Sequence, residues 1–460
     1  MRTWTAAVAM LLLVGCDTAV TNPGLTPDQQ LDQPAAWPAV VVGARRSLSD
    51  AIGSSAGPVS QLLYWGAAMT FEINPAGSTG SYGIPTDVQA GLPTDATMNG
   101  DWTQSNVARY TAEAAVARFR RVMPDTVFPK SPLVAQAYLY AGFANRLLGE
   151  NFCQSVIPVE VPNPTHYVLA PGSLGSHTLY FLRADTAFTN AIAVFTATGK
   201  TDTLTVNFIL AARAGRASVR ADLASYGLGP WSDATADAAL VPSGFVFQAP
   251  YAAASPDQYN YLYWARANQS FRAHTEWGTF YEDYYRRTRD LRVRWDTTTK
   301  SDTLGDAAVA KFGGRVPFWP EAKYTTTSAP VRLSSGWEMR LISAEAALVS
   351  GDAATAVDSM NRRRANLSLP LYDRTVSVDS AWSLLKLERA LELWLEARRI
   401  GDLRRWIANN TPGAYVDGTY RASHPGTLSP TPIETMTTPV ARALCFPVGR
   451  NERETNPNVP

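Results

Sequence analysis

The stretch Glu388–Trp406, reading E-R-A-L-E-L-W-L-E-A-R-R-I-G-D-L-R-R-W, constrains the fold of this chain more than any other. Leu384, Leu387, Leu391 and Trp394 recur at helical spacing, with Ala390 and Leu395 beside them, so the stretch predicts an amphipathic helix whose broad apolar face needs partner helices. Glu388, Glu392 and Glu396 form a second stripe at i, i+4 spacing. Like charges so placed cost roughly a few tenths of a kcal/mol per pair in an isolated helix, so the stripe implies basic groups supplied from elsewhere. Arginines at 362–364 or Arg389 are the candidates. Gly401 stands where a helix takes a left-handed C-terminal residue, and Asp402 follows as an N-cap for a helix carrying Leu403, Arg404, Arg405 and Trp406. The unit reads as helix, tight turn, helix.

The same period recurs along the chain. Ala39 to Ile52 has helix-forming spacing, and Val59 to Met69 reads as a short helix ending near Tyr64 and Trp65. Asp101–Trp102 opens a long helix to Met123, stopped by Pro124, and Leu133 to Leu148 pairs with it. Ala135, Ala137, Ala141, Gly142 and Ala144 on that second helix let neighbouring backbones approach closely. Ser176–Thr198 with Thr205–Tyr226, Gly336–Val349 with Asp352–Asn366, and Asp379–Arg399 with Asp402–Asn409 make three further pairs. Four hairpins of roughly tetratricopeptide size predict an all-α, right-handed stack of helical pairs. A loop-rich, aromatic-rich insertion, about 227–332, splits the stack after its second pair.

Between Tyr251 and Trp295 lie twelve of the 48 aromatic residues, so the insertion is where ring surfaces concentrate. Trp277, Phe280, Tyr281, Tyr284 and Tyr285 repeat at i, i+3, i+4, i+7, the pattern of a helix core. Tyr259, Tyr261, Tyr263 and Trp264 are less regular, and Trp295 abuts the polar loop Asp296 to Asp306. A second loop, Phe71 to Gly100, is long enough to be functional and has Tyr82 as its main aromatic. The candidate ligand-binding residues are therefore Tyr64, Trp65, Tyr82, Tyr261, Trp264 and Trp295. Aromatic faces flanked by Asn, Gln, Asp and Arg suit sugar rings, whose C–H faces stack while hydroxyls take planar hydrogen bonds.

With 460 residues and 46% hydrophobic content, the chain has core enough for two ordinary domains or one large helical one. Its 41 basic and 40 acidic residues set up no overall field for nucleic acid. Arg2 precedes an apolar run, Ala6 to Val14, of signal-peptide length and too short to span a bilayer as a mature helix. Leu13-Val14-Gly15-Cys16 resembles the bacterial lipobox, in which the cysteine is lipidated and becomes the mature N-terminus; an ordinary cleaved signal is the rival reading. The chain divides into a signal peptide, 1–15, a tether, 16–38, and one helical domain, 39–460, held at a membrane through lipid on Cys16. Without Cys16 an even pair remains, Cys153 and Cys445, either a disulfide or two buried thiols.

Several stretches together resemble the SusD/RagB family of outer-membrane lipoproteins, which sit on TonB-dependent transporters. Val20-Thr21-Asn22-Pro23 with Leu25-Thr26 is similar to the family's N-terminal entry. Leu341-Ile342-Ser343-Ala344-Glu345-Ala346 with Asn361-Arg362-Arg363-Arg364-Ala365 resembles its helix pair. Glu388-Arg389, Glu392-Leu393, Glu396, Arg398 and Asp402-Leu403-Arg404-Arg405-Trp406 match best, making Glu388, Glu392, Glu396, Arg398, Asp402 and Arg405 the structural motif. Cys445-Phe446-Pro447-Val448, Glu452 and Thr455-Asn456-Pro457-Asn458 resemble its C-terminal segment. The resemblance implies a tetratricopeptide-like scaffold, outer-membrane attachment facing the cell exterior, and capture of a nutrient, often a glycan and otherwise a peptide, for a SusC-like transporter. The family's ligand residues lie in variable loops, so no position inherits a binding role. The segments holding Cys153 and Cys445 resemble neighbouring regions of the scaffold, which favours the disulfide.

Enzyme chemistry has little footing. Gly53-Ser54-Ser55-Ala56-Gly57 matches the nucleophile-elbow pattern but follows a helical segment and precedes Pro58. His166, His177, His274 and His424 are not paired at zinc-ligand spacing, and no glycine loop for phosphate is present. Asp296, Asp302 and Asp306 miss the EF-hand pattern, so a solvated loop is expected. No cofactor or metal is expected. A nutrient-binding lipoprotein is the main reading; a helical scaffold that binds another protein is the alternative, and a glycan hydrolase the third.

Overall fold

The computed structural model describes residues 28–54, 61–76, 83–163, 168–267, 272–296, 316–415 and 442–460. Cys16, Tyr82, His166, Asp302, Asp306 and His424 lie outside them. The expected tether folds onto the scaffold from Asp28. Two 3-10 turns, Asp28–Asp32 and Pro34–Ala36, are pinned by Arg118, which pairs with Asp28 and Asp32, and by Arg121, 2.8 Å from Asp32.

Helices α1 (Trp37–Gly53) and α2 (Leu62–Met69) lead through the two-residue strand β1 (Asn74–Pro75) and the turn-length α3 (Thr86–Gln89) to α4 (Asn99–Val122). Helix α5 (Pro132–Asn151) starts with proline in its first turn, where the missing N–H costs nothing. Two small hairpins follow, β2 (Gln154–Val156) with β5 (Leu174–Ser176) around β3 (Val159–Val161) with β4 (Val168–Ala170). Then come α6 (Thr178–Ala197) and α7 (Thr203–Ser225), the latter capped by Asp202, which accepts from the Thr205 N–H at 3.0 Å. The close approach predicted for the small residues of α5 is real. A Cβ on Gly142 would sit 2.6 Å from the Phe188 ring, and one on Gly215 of α7 would sit 2.4 Å from the same ring, so two glycines make the slot for one phenylalanine.

After α8 (Trp231–Ala239), strand β6 (Val246–Ala249) pairs antiparallel with β8 (Val331–Ser335), and this ladder is the neck of the insertion. Inside it lie α9 (Tyr261–Ala267), β7 (His274–Thr275), which pairs with β1, and α10 (Phe280–Thr288). The stack resumes with α11 (Gly336–Val349) and α12 (Ala353–Asn366), capped by Ser335 and Asp352, then α13 (Val378–Glu392), α14 (Arg399–Ala408) and a last short α15 (Arg450–Thr455). The strands are two to five residues long, and the fold is all-α with tetratricopeptide-like pairs, as the sequence predicts. Among the described residues no helix is long and apolar enough to cross a membrane.

Two expectations for the final hairpin are corrected. The break falls at Leu393–Arg398, not at Gly401: Leu395 (φ 56°) and Ala397 (φ 58°) take the left-handed conformation, while Gly401 lies inside α14. Nor is Asp402 an N-cap; it sits in that helix, paired with Arg389 and Arg405 at 2.8 Å. The gain from tertiary bonding explains the position of the break. The Leu395 N–H donates to Glu72 Oε1 at 2.9 Å, the Leu395 carbonyl accepts from Tyr324 Oη at 2.7 Å, and the Ala397 carbonyl accepts from Asn151 at 3.3 Å. Lys323 donates to the Trp394 carbonyl. These bonds replace the helical ones that buried peptide groups would otherwise lack. Gly401 has a different use: a Cβ there would lie 3.2 Å from Glu150 Cβ, so its absence lets α14 lie close on α5.

The C-terminal segment returns to the end of α5. Cys153 and Cys445 are bonded, with Cα atoms 4.9 Å apart and a sequence separation of 292. The flanking backbone is paired as well, Cys153 N–H to the Phe446 carbonyl and Phe446 N–H to that of Asn151.

Candidate functional site

Two regions gather the side chains of chemical interest. The first is the carboxylate stripe. Glu388, Glu392 and Glu396 are each at most 5% exposed and fully paired. Glu388 takes Arg292 at 2.7 Å and Arg364 at 2.8 Å, with Tyr372 donating at 2.7 Å. Glu392 takes Arg363 at 2.8 Å and Arg332 at 3.0 Å, and Glu396 takes Lys323 and Arg332, each at 2.6 Å. Burial pushes Glu392 upward, but the guanidiniums of Arg332, Arg363 and Arg292 outweigh it and hold the carboxyl below its usual range. Of the expected partners, Arg363 and Arg364 are used; Arg389 goes to Asp402 instead. Burial likewise opposes ionisation of Asp402, yet Arg389 and Arg405 bring it down to about 2. Arg398 bridges Glu150 and Glu338 at 3.0 and 2.9 Å, and Arg405 pairs with Glu345, which also accepts from Trp406 Nε1 at 2.7 Å. Every carboxylate here has its cation, which makes the region structural.

The second region is the outer side of the insertion. Thr279 caps α10, accepting from the Glu282 N–H, and Arg289 ends it in the left-handed conformation (φ 57°). Trp277, Tyr281 and Tyr284 face the core as their spacing predicts, while Tyr285 is half-buried and Arg286 exposed. Trp295 is fixed by its own indole N–H, which donates to the Glu282 carbonyl at 3.2 Å, and by a bridge between residues 295 and 321. That bridge brings Trp319 against it: the rings stack at 5.2 Å with 20° between planes. The Arg286 guanidinium lies 4.9 Å from the Trp295 ring and 4.7 Å from the Trp319 ring, and Tyr285 meets Trp295 edge-on at 6.0 Å. Trp319 is half-buried, and Arg289, Arg294 and Asp296 stand around the group with exposed or partly exposed side chains. The arrangement offers ring faces edged with planar donors and a carboxylate.

Residues 321–459 match the sequence model of the SusD family, covering α11 to α15 and the carboxylate stripe. The fold aligns with solved SusD structures over nearly the whole chain. A SusD homolog from Bacteroides thetaiotaomicron superposes with a TM-score of 0.65 at 13% identity, over 95% of this chain and 98% of that one. Over residues 321–459 the sequence matches the SusD family, and over nearly the whole chain the fold is that of the solved SusD structures. Similar values hold for a SusD-like carbohydrate binding protein from Bacteroides vulgatus (TM-score 0.61, 15% identity, 92% and 97% covered). A laminarin binding SusD-like protein gives 0.60 at 13%, with 93% and 98% covered. Among curated proteins none matches this chain.

The other residues singled out for ligand contact are brought together only in part, and mostly inside the protein. Tyr64 and Tyr261, 1% and 3% exposed, meet at 5.3 Å with their planes tilted by 59°, and Trp264 lies 5.7 Å from Tyr261, half-buried against the core. Trp65 is 9% and Trp295 6% exposed. The expectation of open aromatic faces is thus corrected for Tyr64, Trp65, Tyr261 and Trp295, because irregular spacing marked rings that pack between elements rather than rings facing solvent. Trp319 and Arg286 were missed. Trp319 sits in the short run Val316-Pro317-Phe318-Trp319-Pro320, which has no period to read, and the nearest signal was its polar neighbourhood. The elbow-like serine, Ser54, ends α1 and donates to the Asp257 carbonyl at 2.6 Å, so it is a buried loop residue. Beneath the platform Glu276 and Glu321 are fully buried, and burial, with the Glu321 charge adding to it, holds the Glu276 carboxyl well above its usual range. Sealed from solvent, these carboxyls have no access to a ligand on the platform.

Proposed function

We propose that this protein captures an oligosaccharide on the Tyr285–Trp295–Trp319 platform and hands it to a SusC-like TonB-dependent transporter in the outer membrane, to which it is held by lipid on Cys16. The stacked Trp295–Trp319 pair carries the reading. A ring pair pre-set by backbone bonding loses little freedom on binding, and the half-buried rings of Trp319 and Tyr285, backed by the buried Trp295 and flanked by Arg286 and Asp296, offer what a sugar's C–H face and hydroxyls require. The carbohydrate-binding and laminarin-binding relatives support the same ligand class. On this reading the protein binds its ligand and releases it unchanged.

For the partner, the support is a groove of about 490 Å³ between α4, α5 and α6. Leu182 in its lining is 43% exposed, and Val159, next to the lining residue Glu160, is 63% exposed, so the groove has apolar surface at its edge. Glu113, Arg120 and Arg183 supply charged groups to the same surface. The test uses the chain without residues 1–16, screened against neutral oligosaccharides and peptides, beside a pull-down of membrane partners. Glycan binding together with recovery of a barrel transporter is expected. Recovery of a different complex with no ligand bound would replace this reading by a protein-binding scaffold, and turnover of a glycan would make the protein an enzyme. Replacement of Cys16 by Ser should release the protein from membranes; continued lipid labelling would contradict the anchor.

A further inference from the structure

A second groove, of about 520 Å³, opens over the carboxylate stripe on the far side of the β6–β8 neck. Its floor holds Glu392 and Glu396, and Arg292, Lys323, Arg332 and Arg363 stand along it. The exposures are unequal. The side chains of Glu392 and Glu396 are 0% and 2% exposed, whereas those of Lys323, Arg332 and Arg363 are 20%, 18% and 15% exposed. The pairs are therefore layered, with carboxylates sealed beneath and cations turned to the opening. The connected ion pairs also do not balance. Arg292, Lys323, Arg332, Arg363 and Arg364 link Asp290, Glu388, Glu392 and Glu396, five cations to four carboxylates. Four cations against two carboxylates in the groove's own lining, with the cations turned to its mouth, favour an anion.

The volume exceeds what a small inorganic ion fills and lies in the range of small-molecule sites. Leu291 (71% exposed) and Val246 (46%) give the rim apolar surface, and Gln248 adds an exposed amide beside Val246's position on β6. Apolar edges, one amide and a cationic centre together match a sugar ring bearing a carboxylate. From the layered cations and the size and edges of the groove, we infer that it is a second binding site, separate from the aromatic platform, for a uronic-acid unit of an acidic oligosaccharide. The carboxylate meets Lys323, Arg332 and Arg363, the ring rests on Leu291 and Val246, and hydroxyls reach Gln248.

The site can be tested without touching the ion pairs, because Val246 is exposed at its rim. Binding of short oligogalacturonates to the wild-type chain, Val246→Glu and Val246→Lys is measured by calorimetry, after melting curves show that all three are folded. Wild type is expected to bind, more weakly at high salt; Val246→Glu should bind about tenfold or more weakly, Val246→Lys as well or better. Leu291→Trp, which fills the rim, should abolish binding, and Trp319→Ala should leave it unchanged. No binding of oligogalacturonate by wild type, equal affinity in the two Val246 variants, loss in Trp319→Ala, or capture of an acidic peptide or of sulfate but not of the uronate would each overturn the inference. Failure of the platform reading would show separately, as no effect of Trp319→Ala on neutral glycans.

Discussion

The carboxylate stripe and the aromatic platform lie on adjoining parts of the molecule and are built on opposite principles. In the stripe each buried charge is met by one or more opposite charges, and nothing is left to meet a ligand except the outer faces of the cations. On the platform the rings are fixed from behind, by the Trp295 indole N–H and by the 295–321 bridge, while Trp319 stays half-open. The first arrangement spends its interactions inside the chain; the second holds some in reserve. Perturbing the two should therefore separate stability from binding.

The largest effect is expected in the stripe. Glu392→Ala leaves Arg363 without its carboxylate and Arg332 with Glu396 alone, and should cost about 3–5 kcal/mol in a urea or thermal melt while the affinity of the folded fraction for a neutral glycan stays near wild type. A loss of affinity larger than the loss of stability would move the ligand site onto this helix. Next comes the covalent tie. Replacing both Cys153 and Cys445 by Ser opens a loop of 292 residues and should lower stability by about 2–4 kcal/mol, again without changing glycan affinity.

A smaller effect, dependent on pH, comes from Glu72 under the break in the final hairpin. Burial lifts its carboxyl to about 7, against the pull of Arg399, the Leu395 N–H, Lys323 and Thr70. A carboxyl whose folded value lies above its unfolded value contributes stability at low pH that is lost as pH rises through the folded value. Stability should therefore decline from about pH 5 towards pH 8, and Glu72→Gln, which keeps the bond from Leu395, should flatten that decline by on the order of 1 kcal/mol. Melting temperatures of both forms across this range provide the check; parallel curves would remove Glu72 as the cause.

Much of the stripe was legible in the sequence because helical spacing states which residues share a face. Glu388, Glu392 and Glu396 had to find cations, and Arg363 and Arg364 stood at the end of a neighbouring predicted helix. Arg292, Lys323 and Arg332 could not be foreseen, since they arrive from the insertion, and contacts between segments so far apart leave no local pattern. The break was misplaced for a related reason. Gly401 carried the local signal for a left-handed residue, but Glu72, Tyr324 and Asn151 stabilise that conformation at Leu395 and Ala397 instead, a tertiary effect overriding propensity. On the platform, the α10 spacing correctly sent Trp277, Tyr281 and Tyr284 inward. Periodicity had nothing to say about Trp319, which lies in an aperiodic run and reaches Trp295 through strand-like bonding.

The account rests most directly on Trp319. Its replacement by Ala should be measured twice on the same soluble protein, by thermal melting and by titration with whichever neutral oligosaccharide the wild type binds. Removing one half-buried stacking face should lower affinity by about tenfold or more while stability falls by about 1 kcal/mol. Unchanged affinity, or affinity lost only because the protein no longer folds, would contradict the assignment of the platform as the ligand site.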